Sequence, residues 1–509
     1  MLLKKFFGIP SICGLVIALV CGSIAGADHT PSHDEHPSSP HHPNIIFILT
    51  DDMALRDVEV MPKLKRLLID EGTTFTNFFV TNSQCCPSRS SILRGQYVHN
   101  HGVDSNTAGF HRFRELGNEA STMATWLKAA GYTTGLMGKY LNGYTPHNDK
   151  NYVPQGWDEW DSPIDNHGYD EIDYPMNENG KIVQYGHSPN DYLVDVISRK
   201  ASGFIHQAAE KKQPFFLYLA PYAPHQPATP AQRHRNLFAD AKAPRTASFN
   251  EKDVTTKPAY IRALPLIDGK QITKMDLLYR KRVQSLQSVD DLIDELIGAL
   301  GQTDQLHNTF IVFTSDNGFH FGQHRLHMGK QTPYEEDIHV PLVIRGPGVP
   351  ARHTAPHLTV ETDLAPTFAE WASVTPPGFV DGRSLEPLLN KHLPPLSEWR
   401  QGVLIEHAPG PEPFMSRFEE MLFRVKGKSK LTAYKAVRSN QYLYVQYSSG
   451  ERELYDLRND PDELHNMIQQ AEPSLIKRFS FWLNQLMQCK GSGCRQVEDA
   501  NSEDLHLSS

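Results

Sequence analysis

A chain of 509 residues has room for about two to four domains, or one large core with an appendage. Its 39% hydrophobic and 21% charged residues are the balance of a globular protein, which excludes a disordered or membrane-embedded one. A formal charge of −9, with no Lys/Arg block, excludes general nucleic-acid binding, so an anionic substrate has to be held by local positive groups.

The N-terminus pairs Lys4-Lys5 with an apolar run and ends it in Ala25-Gly26-Ala27, the pattern of a secretory signal cleaved near Ala27. A single anchoring helix is the alternative; the small residues at the end of the run favour cleavage. A lipoprotein is disfavoured because Val20, not a small residue, precedes Cys21. Export to a periplasm, the cell surface or a lysosome-like compartment is expected. No later segment is apolar enough to span a bilayer, so no stable membrane insertion is expected after cleavage. The Pro/Ser/His-rich stretch that follows, with His29, His33, His36, His41 and His42, reads as a solvated leader without catalytic role. The expected division is signal 1–27, leader 28–43, catalytic domain 44–395 and C-terminal subdomain 396–509.

"NIIFILTDD" is a short apolar, β-branched run without polar alternation, as in a parallel strand buried on both faces. Next comes "CCPSRSS", in which Pro87 suits the first helical position, with Ser88, Arg89 and Ser90 in the first turn and Ile92 and Leu93 turned inward. A helix N-terminus beside an arginine is an anion site. "YTTGLMGKY", "PFFLYLAPYAPH", "TFIVFTSDNG" and "VPLVIRGPG" repeat the buried-strand signature. Between them Leu286, Val289, Ile293, Leu296 and Leu300 mark a helical face at a 3.6-residue period. Alternating strands and helices predict an α/β fold with a mostly parallel sheet. From about residue 400, "AYKAVRSNQYLYVQY" and "ERELYDL" read as antiparallel strands, followed by a helix around "SLIKRFSFWLNQLM". Cys489 and Cys494 in "CKGSGC" close a short Gly-rich loop able to form a disulfide in an oxidising compartment.

Ligands of such sheets bind beyond the carboxyl ends of the strands. There the chain delivers Asp51 and Asp52, Lys139, His225, and Asp316 with Asn317. Any one of them alone reads as a cap or turn residue; together they predict one crevice. Carboxylates plus an amide suit a hard cation, calcium before magnesium, and three facing carboxylates are expected to repel one another without it.

Cys85-Cys86-Pro87-Ser88-Arg89 resembles the Cys-x-Pro-Ser-Arg signature of the sulfatases, whose cysteine is oxidised to formylglycine. "GKYLNGY", "APHQP", "SDNG", "PLVIRGPG", "TDLAPT", "DGRSL" and "ELYDLRNDPDE" extend the similarity in order, and "CCPSR", "HNHGV" and "CKGSGC" look most like the N-acetylglucosamine-6-sulfatase branch. The resemblance implies an alkaline-phosphatase-like sheet with a smaller C-terminal α+β subdomain. It also implies hydrolysis of a sulfate ester, 6-O on N-acetylglucosamine or a related hexosamine in a sulfated glycan, after maturation by a formylglycine-generating enzyme. A hydrated aldehyde would take the sulfuryl group on one hydroxyl and expel sulfate by deprotonation of the other.

Residue by residue, the resemblance implies that Asp51, Asp52, Asp316, Asn317 and modified Cys85 hold calcium and that Arg89 fixes the hydrate. Lys139 and Lys330 would clamp sulfate, and His225 would protonate the leaving sugar oxygen. Each has a plainer alternative: a surface ion pair for Lys330, a structural loop for His225. His101 is a candidate substrate contact, with helix capping as its alternative; His324 and His327 are equally open. Trp157, Trp160, Tyr169 and Tyr174 suit sugar stacking or core packing. Where many sulfatases carry a histidine two residues after the first lysine, Leu141 stands, leaving the base that regenerates the aldehyde unidentified. Cys86 reads as a small packing residue. Alternative functions are an arylsulfatase or another glycan sulfatase, a phosphate or phosphonate ester hydrolase, and a non-catalytic glycan-binding protein.

Overall fold

The computed structural model describes residues 42–107, 109–146, 149–164, 167–408 and 431–500. The signal segment and all of the leader before His42 lie outside the described residues. Among those described, ten strands form one sheet: β1 (Asn44–Thr50), β2 (Thr73–Phe75), β3 (Thr133–Gly138), β4 (Glu159–Pro163), β5 (Pro175–Glu178), β6 (Lys181–Gln184), β7 (Phe215–Ala220), β8 (Thr309–Ser315), β9 (Leu342–Arg345) and β10 (His353–Ala355). Their spatial order is β10, β2, β9, β8, β1, β7, β3, β4, β5, β6.

The central strands β8, β1, β7, β3 and β4 are mutually parallel. Successive residues of β1 enter opposite cores: Ile45, Phe47 and Leu49 join one apolar cluster, Ile46 and Ile48 the other. Helices α2 (Leu193–Lys211) and α3 (Gly269–Gln302) pack into the second cluster, and α1 (Cys85–Arg94) into the first. Each Leu, Ile or Phe so enclosed contributes about 1.5–3 kcal/mol. The face read from Leu286 to Leu300 is buried in α3 as expected.

"VPLVIRGPG" departs from expectation. Its strand β9 runs antiparallel to both β8 and β2. An unbroken apolar run reports burial on two faces and carries no information about direction.

Register aligns the carboxyl ends that matter. Thr50 pairs with Ser315, and Gly138 with Ala220, so the residues after β1, β8, β3 and β7 emerge on one rim. Gly138 has φ +108°, and a Cβ there would lie 2.1 Å from the Ala220 carbonyl oxygen; only glycine lets β3 end against β7 and deliver Lys139.

The C-terminal part is a four-stranded antiparallel sheet of β11 (Gly402–His407), β12 (Tyr434–Ser439), β13 (Tyr442–Tyr447) and β14 (Arg452–Asp456), with α4 (Pro473–Leu486) packed on it. The last three strands and α4 follow the expectation, whereas β11 was not anticipated. Buried Arg400 joins this part to the first through Asp363, at 2.5 and 2.6 Å, and through Glu498 at 2.8 Å. Cys489 and Cys494 are disulfide-bonded.

Candidate active site

Helix α1 begins at Cys85, two residues before the expected start at Pro87. Its first main-chain bond runs from Ser88 N to Gln84 O at 3.1 Å. Pro87 therefore occupies a later place in the first turn, where the missing N–H is still no loss. The shift places Cys85 itself in the helix, 1% exposed, at the floor of the crevice.

The Cys85 thiol donates to Asp51 Oδ1 at 3.3 Å and receives Lys330 Nζ at 2.7 Å. Burial and the Asp51 carboxylate outweigh the two lysines and push this thiol well above its ordinary range. As a thiol Cys85 is thus a poor nucleophile. Cys86 packs in the apolar core, as expected of it, and burial pushes its thiol up to about 12.

Around Cys85 acids and bases interlock. Lys139 Nζ lies 2.5 Å from Asp51 Oδ2, and Lys330 Nζ contacts Asp52 Oδ1. Arg89 Nε donates to Asp316 Oδ2 at 2.8 Å and its Nη1 to the Lys139 carbonyl at 3.0 Å, while Asp316 Oδ1 accepts from Asp52 N at 3.0 Å. Burial raises the Asp51 carboxyl, but Lys139, His225, Arg89 and Lys330 overrule it and hold it well below the carboxylate range. At Asp316 burial and Asp51 prevail over Arg89 and the lysines, so its carboxyl is raised.

The expected repulsion among these carboxylates is present, since Asp51 helps to raise both Asp52 and Asp316, and Arg89, Lys139 and Lys330 offset it with positive charge. The donor set nevertheless fits a divalent cation. Ligand atoms of Asp51, Asp52, Cys85 and His225 lie within 4.8 Å of one another, and two of the carboxylates face lysine ammonium groups on flexible stems. Adding two positive charges to a self-neutralised pocket would make it attract an anion. Asp316 is outside that tightest set, with both oxygens already engaged. Asn317 turns Nδ2 to Asp52 Oδ1 at 2.7 Å and Oδ1 to Lys330 at 3.3 Å.

His225 reaches the rim on the loop after β7. Its Nδ1 donates to the Gln226 carbonyl at 2.7 Å, which leaves Nε2, 3.5 Å from Asp52 Oδ2, as the nitrogen facing the crevice. Tyr169 completes this wall, its ring centroid 4.5 Å from that of His225 and 5.1 Å from Lys139 Nζ.

Other expected residues lie elsewhere. His101 is buried, with Nε2 on Ser91 Oγ at 3.0 Å and Nδ1 accepting from Val103 N at 3.1 Å. Burial holds its pKa down to about 3, and both nitrogens are occupied, which corrects the expectation of a substrate contact. Trp157, Trp160 and Tyr174 are core residues, so of the four aromatics Tyr169 alone joins the site. Leu141 is in the core as well.

Two supports were not legible in the sequence. Buried Arg282 of α3 donates to the Asp52 and Pro224 carbonyls, the latter at 3.1 Å, and so holds the Asp52 turn, where φ is +66°, against the His225 loop. Glu361 accepts from Ser88 Oγ at 2.6 Å and from Thr81 N at 2.8 Å, fastening the first turn of α1. Both are charged residues within otherwise ordinary stretches; only the tertiary fold brings them to the site.

An alkaline-phosphatase-like sheet carrying buried carboxylates and lysines at one rim defines a hydrolase of anionic esters. The family model "Sulfatase" matches residues 43–374, and "N-sulphoglucosamine sulphohydrolase, C-terminal" matches 322–488. The chain belongs to the sulfatase family and is a sulfuric ester hydrolase. Human N-acetylglucosamine-6-sulfatase is 32% identical over 523 residues, covering 96% of this chain and 91% of that protein. An extracellular sulfatase SULF-1 homolog of Drosophila melanogaster is 37% identical over 382 residues, or 74% of this chain. The chain spans 34% of that protein's length and 55% of its Caenorhabditis elegans counterpart's. In fold it is similar to BT4656, solved with its substrate D-glucosamine-2-N,6-O-disulfate, with TM-score 0.70, 24% identity, and coverage of 91% of this chain and 100% of that one.

Proposed function

We propose that the chain removes 6-O-sulfate from N-acetylglucosamine, or a related hexosamine, in a sulfated glycan, with Cys85 converted to formylglycine and calcium as the metal. The observation that carries the catalytic reading is the convergence on Cys85 of Asp51, Lys330 and, through Asp51, Lys139. The substrate reading is supported by the N-acetylglucosamine-6-sulfatase relative, which aligns over nearly the whole chain.

Asp51, Asp52, Asp316 and Asn317 would hold the cation, which supplies charge stabilisation and a lowered pKa at the attacking hydroxyl. Formylglycine supplies a hydrate whose two hydroxyls divide sulfuryl transfer into two easier steps. Lys139 and Lys330, which lie on Asp51 and Asp52, would supply the ammonium donors to the sulfate oxygens. Arg89, locked by Asp316 and the Lys139 carbonyl, keeps residue 85 oriented. As the imidazolium, with Nδ1–H held by the Gln226 carbonyl, His225 would give its Nε2 proton to the departing sugar oxygen, a poor leaving group otherwise, and be left neutral. Tyr169 packs against that imidazole at a tilt of 44° and would offer an aromatic surface to the sugar.

The experiment has two stages. Peptide mass spectrometry across Cys85 to Arg89 should find the mass of an aldehyde in place of the thiol. A panel of 2-O-, 3-O- and 6-O-sulfated sugars, aryl sulfates and matched phosphate esters should then show preference for the 6-O-sulfated hexosamine. Unmodified Cys85, in a host that modifies a control sulfatase, removes the mechanism; preference for another ester removes the substrate.

A further inference from the structure

A second group of ligand-bearing side chains, His324, Glu336 and Glu463, shares no residue with the Cys85 cluster. One ligand atom of each lies within 4.8 Å of the others. His324 and Glu463 are 0% and 1% exposed.

The hydrogen-bond accounting of this group is uniform. His324 Nδ1 pairs with Glu251 Oε2 at 2.8 Å, Glu336 Oε1 accepts from Ser248 Oγ at 3.3 Å, and Glu463 Oε2 accepts from Glu335 N at 3.1 Å. The remaining atom of each, His324 Nε2, Glu336 Oε2 and Glu463 Oε1, is buried without a hydrogen-bond partner. Each residue is thus fixed from behind by one atom and presents a bare acceptor with the other. A carboxylate behind Nδ1 sets the imidazole tautomer that leaves the Nε2 lone pair free, the usual outer support of a metal-bound histidine.

Charge points the same way. Buried Lys257 lies 3.9 Å from Glu251 Oε2 and also donates to the Glu463 carbonyl oxygen and to Tyr455 Oη, so its charge is matched by Glu251. Glu336 and Glu463 remain as two carboxyl groups facing a neutral imidazole.

We propose that His324, Glu336 and Glu463 bind a divalent transition-metal ion, zinc by the chemistry of one imidazole and two carboxylates, at a site separate from the catalytic cation. Calcium would be a poor occupant because of the nitrogen donor. Glu336 also lines a cavity of about 200 Å³ bounded by Asp57, Thr246, Phe319 and Asp462. The ion joins the loop between the paired short strands His320–Phe321 and Met328–Gly329, which carries His324, the segment that follows Lys330, and the C-terminal loop after β14. Its role is to staple these segments and hold the Lys330 loop; it takes no part in sulfuryl transfer.

The test uses the full-length protein, stripped by chelation and returned to buffer with zinc alone or calcium alone. Metal analysis should find one zinc fewer per chain in Glu463→Gln than in the wild type, with calcium content unchanged between them. Zinc should raise the wild-type melting temperature and leave that of E463Q where it was. Anomalous scattering at the zinc edge from wild-type crystals locates the ion without any variant, so a misfolded mutant does not shield the proposal. Density among the three side chains supports it. Zinc found only beside Cys85, or none at either place, overturns it.

Discussion

Arg282 of α3 donates to the backbone carbonyl of Asp52, a residue 230 positions away, and so one long helix determines where the acidic turn of the site stands. Its second bond, to Pro224 O, fixes the loop of the candidate acid His225 by the same side chain. Arg282→Met leaves two buried carbonyls without a donor, each at about 1–3 kcal/mol. Chemical denaturation should show several kcal/mol of lost stability, and calcium titration a weaker site. An unchanged calcium affinity in a folded variant would rule out the positioning role.

In the proposed mechanism His225 protonates the leaving oxygen. His225→Gln should lower turnover of a sugar 6-sulfate by about 10²–10⁴-fold. The same variant should lose far less on an aryl sulfate with an acidic phenol, because such a group departs without a proton. Equal losses on both substrates would assign His225 a binding role instead.

The lysines and the carboxylates neutralise one another, so chelation should silence the enzyme without unfolding it. Activity should return with calcium more fully than with magnesium, and the melting curve of the chelated protein should remain cooperative. Lys139→Ala and Lys330→Ala should each reduce kcat by about 10²–10³-fold, as for loss of one preorganised donor.

Glu361 makes stability depend on pH. Burial overrides its bonds from Ser88 and Thr81 and pushes the carboxyl up to about 8 from an ordinary 4.5. Between these values the folded state holds a proton that the unfolded chain has released, so its contribution is full below 4.5 and is lost as pH rises through about 8. Comparing urea midpoints across that range, Glu361→Gln should show a shallower decline than the wild type. Parallel profiles would mean the carboxyl is already ionised in the folded protein.

Tyr169 touches His225 and Lys139 through its ring. Tyr169→Phe should therefore keep most activity, and Tyr169→Ala should raise KM for glycan substrates more than for small aryl sulfates. An equal loss in the Phe and Ala variants would shift the role to the hydroxyl, which accepts from Asn142 at 3.3 Å.

Much of this was written in local patterns. Asp51, Lys139 and Asp316 could be placed on one rim because each follows a run with a buried-strand signature, and strand ends in parallel sheets converge. The direction of β9 could not be read, since an apolar run is the same forwards and backwards. The helix start was misplaced for a related reason: proline is tolerated throughout the first turn, so Pro87 marks that turn without fixing its first residue. Arg282, Glu361 and the burial of His101 depend on contacts between distant segments, and no periodicity encodes them.

The depth of Cys85 has a consequence for biosynthesis. At 1% exposure, inside the first turn of α1 and beneath the Lys330 ammonium, its sulfur is out of reach of any other protein's active site once the chain has folded. An enzyme that oxidises this residue has to meet an extended strand of polypeptide, before the sheet closes over it. On the proposed formylglycine mechanism, catalytic competence would then be settled before folding, and molecules that fold too soon would stay inert.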